Sequence, residues 1–89
     1  MATLFIRHTV ANFATWKQVY DSVADFQKSG GVTAQAVYQA ADNPNDVTIT
    51  HDFASLEQAQ AFSNNPELRA IMERAGVVGA PTLWFTNRA

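Results

Sequence analysis

His8-Thr9-Val10-Ala11-Asn12-Phe13 is echoed 43 positions later by His51-Asp52-Phe53-Ala54-Ser55-Leu56. In both segments a histidine precedes an apolar residue, an alanine, a residue of helix-capping type (Asn12, Ser55) and a second apolar residue. Upstream, Leu4 and Ile6 correspond in the same way to Val47 and Ile49. No other feature constrains the fold as much, because it says that one unit, a strand running into a capped helix, is used twice.

The rest of the chain fills in around that unit. Thr3 to Val10 is apolar and β-branched and reads as a strand. From Phe13, the residues Trp16, Val19, Tyr20, Val23 and Phe26 recur at helical spacing, which predicts one helix ending at Gly30-Gly31. Val32 to Ala40 is the second strand, and the turn formers Ala41-Asp42-Asn43-Pro44-Asn45-Asp46 close a hairpin. Val47 to Phe53 alternates apolar and polar residues as a third strand. Ser55 with Gln58 forms a capping box for a second helix, which breaks at Asn65-Pro66 and resumes over Glu67 to Ala75. Gly76-Val77-Val78-Gly79 reads as a structural loop; its order, helix before and strand after, is the reverse of a dinucleotide-binding turn. Pro81 to Thr86 is the last strand. The order βαββαβ predicts an α+β, ferredoxin-like fold with a four-stranded antiparallel sheet, as a single domain over residues 1–89.

Such a sheet carries both helices on one face and should alternate cleanly where the other face meets water. Leu4-Phe5-Ile6 and Leu83-Trp84-Phe85 are instead apolar at every position. Only 16% of residues are charged against 47% hydrophobic, where an ordinary domain is about a quarter charged. A second copy laid over the open face is the simplest cover, so the chain is expected to be a homodimer, two protomers forming a dimeric α/β barrel.

Several classes of function are set aside. Six Lys and Arg against eight Asp and Glu leave a formal charge of −2 and no basic stripe, so nucleic acid is not an expected partner. No apolar run nears the roughly 20 residues of a membrane-spanning helix, and the opening Met1 to Arg7 lacks signal-peptide character, so a cytoplasmic protein is expected. There is no cysteine. His8 and His51 are the only imidazoles; strand parity puts them on one face, but about 7–14 Å apart, so no metal site is expected. Asp52 adjoins His51 yet points to the opposite face and cannot orient it.

The opening Leu4-Phe5-Ile6-Arg7-His8, Phe13-Ala14-Thr15-Trp16, Val47 to Phe53, Ser63-Asn64-Asn65-Pro66-Glu67-Leu68 and the closing Pro81-Thr82-Leu83-Trp84-Phe85 together resemble the dimeric α/β-barrel group that includes antibiotic biosynthesis monooxygenase (ABM) domains. The resemblance implies a pocket between sheet and helices in each protomer. It spans cofactor-free oxygenases, haem-degrading enzymes, isomerases, cyclases and proteins with no known reaction. Where haem-degrading members carry an asparagine late in the first strand, this chain has His8; where they carry a histidine late in the second helix, it has Leu68 to Met72 without one. Haem degradation is therefore not expected, and no cofactor is. The expected site has His8 as general base or substrate anchor. Trp16, Tyr20, His51 and Phe62 line a cavity for a small planar, hydrophobic or aromatic ligand. The reaction class is a cofactor-free monooxygenase or a cyclase or isomerase; the alternative is a non-catalytic dimer that binds a small molecule or serves a structural role. A cavity of a few hundred Å³ reaching His8 would favour the enzyme or the binder, and an interior filled to native packing density the structural role.

Overall fold

A computed structural model describes residues 1–89. In chain order it contains β1 (Ala2–Val10), α1 (Phe13–Ser22), α2 (Ala24–Ser29), β2 (Ala34–Ala40), β3 (Asn43–Phe53), α3 (Leu56–Asn64), α4 (Pro66–Arg74) and β4 (Val77–Asn87). The strands form one antiparallel sheet in the order β2-β3-β1-β4, the ferredoxin-like arrangement expected. No helix is long and apolar enough to cross a membrane.

At the centre of the sheet, Ile6 lies opposite Ile49, with Leu4 opposite His51 and His8 opposite Val47. A two-fold axis through the Ile6–Ile49 pair exchanges Leu4 with Val47 and His8 with His51. The 43-residue repeat is that axis read along the chain. It extends to the helices. Asn12 caps α1 by accepting from the Thr15 N–H at 3.0 Å, and Ser55 caps α3 by accepting from the Gln58 N–H at 3.2 Å. Both helical stretches also break at matching points, at Val23 and at Asn65-Pro66. The predicted break at Asn65-Pro66 is present. The one at Val23 was not predicted: the apolar stripe continues through it, and no glycine or proline marks the departure from helical backbone.

Strand ends differ from expectation in two more places. The hairpin turn is only Ala41-Asp42, because Asn43 already pairs with Ala40, and the surplus residues are absorbed by an irregularity beside it. At the other edge the sequence Val77-Val78-Gly79, read above as loop, belongs to β4. Val77 and Val78 pair with Val10 and Thr9, and the register shifts before Arg7 meets Thr82. Gly79 takes a positive φ of 74° in this bulge, backbone that other residues rarely adopt, so the glycine keeps pairing alive on both sides of it.

One face of the sheet is the core. Leu4, Ile6, Val10, Val47, Ile49 and Phe53 are buried there beneath Trp16, Tyr20, Ala59, Phe62, Leu68 and Ala75 of the helices. Each large apolar side chain so buried contributes on the order of 1.5–3 kcal/mol. The opposite face is not the doubly apolar surface expected. Its central rows hold Ala36, Thr50, Phe5 and Trp84, then Tyr38, Thr48, Arg7 and Thr82. Phe5 and Trp84 stack there with ring centroids 5.2 Å apart, and Arg7 pairs with Asp46 through two hydrogen bonds of 3.1 and 2.7 Å. Phe85 sits opposite Leu4, on the helix side of an edge strand.

Candidate functional site

Strand alternation places His8 and His51 on the core face, where they are 5% and 2% exposed. Their partners across the ladder are four residues out of register, which sets them roughly 14 Å apart along the strands. They do not share a ligand sphere, and no cluster of three or more metal-ligating side chains forms.

A row of rings links them. Trp16 meets His8 edge-on at 5.6 Å and stacks on Tyr20 at 4.9 Å; Tyr20 lies over His51 at 6.1 Å, and Phe62 meets His51 edge-on at 5.3 Å. These rings border a cavity of about 40 Å³ between sheet and helices. All five residues expected at the site, His8, Trp16, Tyr20, His51 and Phe62, are among its lining. Phe26, which shares the helical spacing of Trp16 and Tyr20, lines it too, whereas Trp84 stands on the opposite face of the sheet. The cavity reaches His8 as expected but is about a tenth of the size anticipated, with room for roughly three waters.

Sequence reasoning overlooked Gln27 and gave Met72 no place in the site; both line the cavity. Gln27 had a signal: it continues the helical spacing of Trp16, Tyr20 and Val23, so a polar residue sits on an otherwise apolar stripe. Gln35 was overlooked as well, and supplies a hydrogen bond described next.

The two histidines differ in their bonding. Tyr20 Oη donates to Gln35 Oε1 at 2.8 Å and lies 3.1 Å from His51 Nε2. With its single proton committed to Gln35, Tyr20 is the acceptor from His51, so Nε2 carries the imidazole proton. His51 Nδ1 is then a bare lone pair, and it has no hydrogen-bond partner. His8 has none at either nitrogen. Burial pushes both imidazoles down to about 4, so both are neutral near pH 7. Burial likewise pushes the Tyr20 hydroxyl up to about 12, which keeps it protonated. Asp52 is turned away from His51, as parity required, and accepts from the Thr3 hydroxyl at 2.7 Å.

Three buried imidazole nitrogens without partners are a chemical statement. Buried polar atoms are nearly always bonded, and an orphan costs about 1–3 kcal/mol. The arrangement can accept a hydrogen bond or a proton from a small hydroxyl-bearing or enolisable molecule, and can hold an apolar ring against Trp16 and Phe62.

No family model matches the sequence, and no curated protein matches it. Solved structures do share its fold. A Bordetella bronchiseptica protein bearing the name of an antibiotic biosynthesis monooxygenase superposes with a TM-score of 0.84 at 10% identity, covering 99% of this chain and 96% of its own. SnoaB from Streptomyces nogalater, a cofactor-independent oxygenase, matches with a TM-score of 0.74 at 17% identity over 99% and 93%. A Nitrosomonas europaea protein of unknown function matches with 0.74 at 20% identity over 96% and 85%. The chain thus has the ABM-type ferredoxin-like fold, and at these identities it is the fold alone that is shared.

Proposed function

We propose that the cavity is a ligand site in which His8 accepts a hydrogen bond or proton from a small planar organic substrate, and that the reaction is a cofactor-independent monooxygenation. The observation that carries this reading is the pair of unpartnered nitrogens on buried His8, facing an apolar cavity. A substrate methylene acidified by neighbouring carbonyl or phenol groups would lose a proton to His8. The resulting carbanion passes electrons to dioxygen; one oxygen atom becomes a new carbonyl and the other leaves as water. Substrate CH2 plus O2 gives C=O plus H2O, so atoms and electrons balance without a further reductant. An imidazole held near 4 by burial is by itself a weak base, but the carbanion supplies a counter-charge. Proton transfer and ion pairing are then one event. Trp16, Tyr20, His51 and Phe62 would shape the space around the substrate.

The test is oxygen uptake, followed together with quinone absorbance, over a panel of hydroxylated fused-ring compounds with an activated methylene. Uptake by the wild type that falls at least a hundredfold in His8→Ala, in line with the usual contribution of a general base, is the expected result. Equal rates in the two proteins would remove His8 as the base. The second reading is a non-catalytic dimer that binds a small molecule or, as the small size of the cavity favours, serves a structural role. The binder form predicts that a panel compound raises the melting temperature by mass action and is recovered unchanged. In either case we propose that the working form is a homodimer with the Phe5–Trp84 patch as its anchor.

A further inference from the structure

His51 owes its tautomer to a residue that does not line the cavity. Gln35 lies directly opposite His51 in the β2–β3 ladder, so the two side chains share the helix-facing side of the sheet. Gln35 is exposed on its edge strand, whereas Tyr20 and His51 are buried. The three meet at the Tyr20 hydroxyl, 2.8 Å from Gln35 Oε1 and 3.1 Å from His51 Nε2. That hydroxyl has one proton for two neighbours, and His51 is neutral, so the cluster has two consistent arrangements. With the Gln35 oxygen turned inward, Tyr20 donates to it, His51 donates from Nε2, and Nδ1 is bare. With the amide turned over, Gln35 donates to Tyr20, Tyr20 donates to Nε2, and the imidazole proton moves to Nδ1. A half-turn of one surface amide thus exchanges an acceptor for a donor at a buried nitrogen.

Two observations favour the first arrangement. Nδ1 of His51 has no partner, and a buried N–H is rarely left without an acceptor. The Gln35 amide nitrogen, at an exposed position, can donate to water. His8 provides the contrast: neither of its nitrogens is bonded, so nothing fixes where its proton sits. We propose that Gln35 is a positioning residue for the cavity: through Tyr20 it holds His51 as a hydrogen-bond acceptor at Nδ1, and so selects ligands that donate a hydrogen bond there over ligands that only accept. The selection rests on the reading of the cavity as a ligand site; the tautomer does not. The two histidines then divide the work. His8 is free to take up a proton, and His51 is a fixed anchor.

Side-chain nitrogen NMR of the full chain reads the tautomer, because bare and protonated ring nitrogens resonate far apart. The wild type should carry the His51 proton on Nε2. Gln35→Glu, whose carboxylate only accepts, should keep it there; Gln35→Lys, whose ammonium only donates, should move it to Nδ1. Gln35→Leu offers Tyr20 no acceptor and should move it as well, so the test survives if one variant fails to fold. A purely structural role for Gln35 would not separate the glutamate from the other two. Protonation of Nδ1 in the wild type, or an Nε2 proton in every folded variant, overturns the proposal. Phenol and anisole, one ring with and without an O–H, test the selection. The wild-type preference for phenol should fall about fivefold in Gln35→Leu, the worth of one neutral hydrogen bond. If the tautomer moves and that preference does not change, His51 does not select the ligand. If the tautomer moves and neither probe shifts a histidine signal in either protein, the relay through Tyr20 stands and the ligand site falls.

Discussion

At the scale of single residues, His8 behaves as a group kept for something other than stability. It is buried, uncharged and unbonded at both nitrogens. Replacing it with an apolar side chain removes that defect, so His8→Leu should denature at a urea concentration equal to or above that of the wild type, while losing any ligand response. Another residue of the same strand face gives the contrast. Leu4 is fully buried, and Leu4→Ala should cost roughly 2–5 kcal/mol in the same titration. The pH dependence follows from the same burial. Both histidines sit near 4 in the folded chain, below the ordinary 6.5. Above 6.5 neither state binds the protons and the histidines contribute nothing to the slope. Between 6.5 and 4 the unfolded chain takes up protons that the folded chain refuses, so stability should fall steadily as pH drops through that window. Urea midpoints measured at half-unit steps should show the decline, and it should be smaller in His8→Leu; a flat profile in the wild type contradicts the burial. Strand parity was enough to put both imidazoles on one face of the sheet from the sequence. That His8 is unpartnered and His51 bonded at one nitrogen was not legible, since hydrogen bonding depends on what the helices bring opposite them, and Tyr20 reaches one histidine and not the other.

Single elements show where local signals suffice. Asn12 and Ser55 were readable as caps because capping needs only a short side chain and the next turn of backbone. Related by the internal two-fold, each should cost about 0.5–2 kcal/mol when changed to alanine, and two such losses of similar size, measured by urea denaturation, would show that the halves are energetically alike. The break at Val23 and the bulge around Gly79 were not readable. The bulge is set by what lies across from it, since β4 must keep pace with β1 across the shift in register; the break at Val23 has no marker in its own residues. Gly30, the C-cap of α2, shows the same dependence. Its backbone is ordinary (φ −78°), so conformation does not demand glycine there. A Cβ at this position, however, would lie 2.6 Å from Phe62 Cδ1, and Phe62 is wedged among Phe26, His51 and Phe53. Gly30→Ala should therefore destabilise by about 1–3 kcal/mol, as overpacking does. It should also move the His51 ring signals in an NMR spectrum, because Phe62 must press on His51 to make room.

For the whole molecule, the open face of the sheet is where the proposed dimer is tested. Apolar residues at consecutive positions of β1 and β4 suggested strands buried on both sides, and the structure narrows that signal. Phe5 and Trp84 bring a stacked pair of apolar rings to the centre of the open face, beside threonines and the Arg7–Asp46 pair, with Tyr38 on the outer strand, while Phe85 belongs to the helix side. A face of this kind, one aromatic stack with a polar surround, matches the usual anatomy of a specific interface, with an apolar anchor inside a polar rim. Trp84 remains 40% exposed although it is stacked on Phe5. If a second copy covers it, the wild type should sediment as a dimer at micromolar concentration. Trp84→Lys should weaken association by about 2 kcal/mol or more, as loss of a central aromatic anchor does, and shift the protein to monomer with an unchanged circular dichroism spectrum. The substitution does not reach the cavity, so phenol binding there should survive in the monomer. Loss of that binding together with the dimer would mean that the partner subunit completes the site. A wild type that sediments as a folded monomer at micromolar concentration would leave the aromatic stack as an ordinary exposed pair and overturn the dimer.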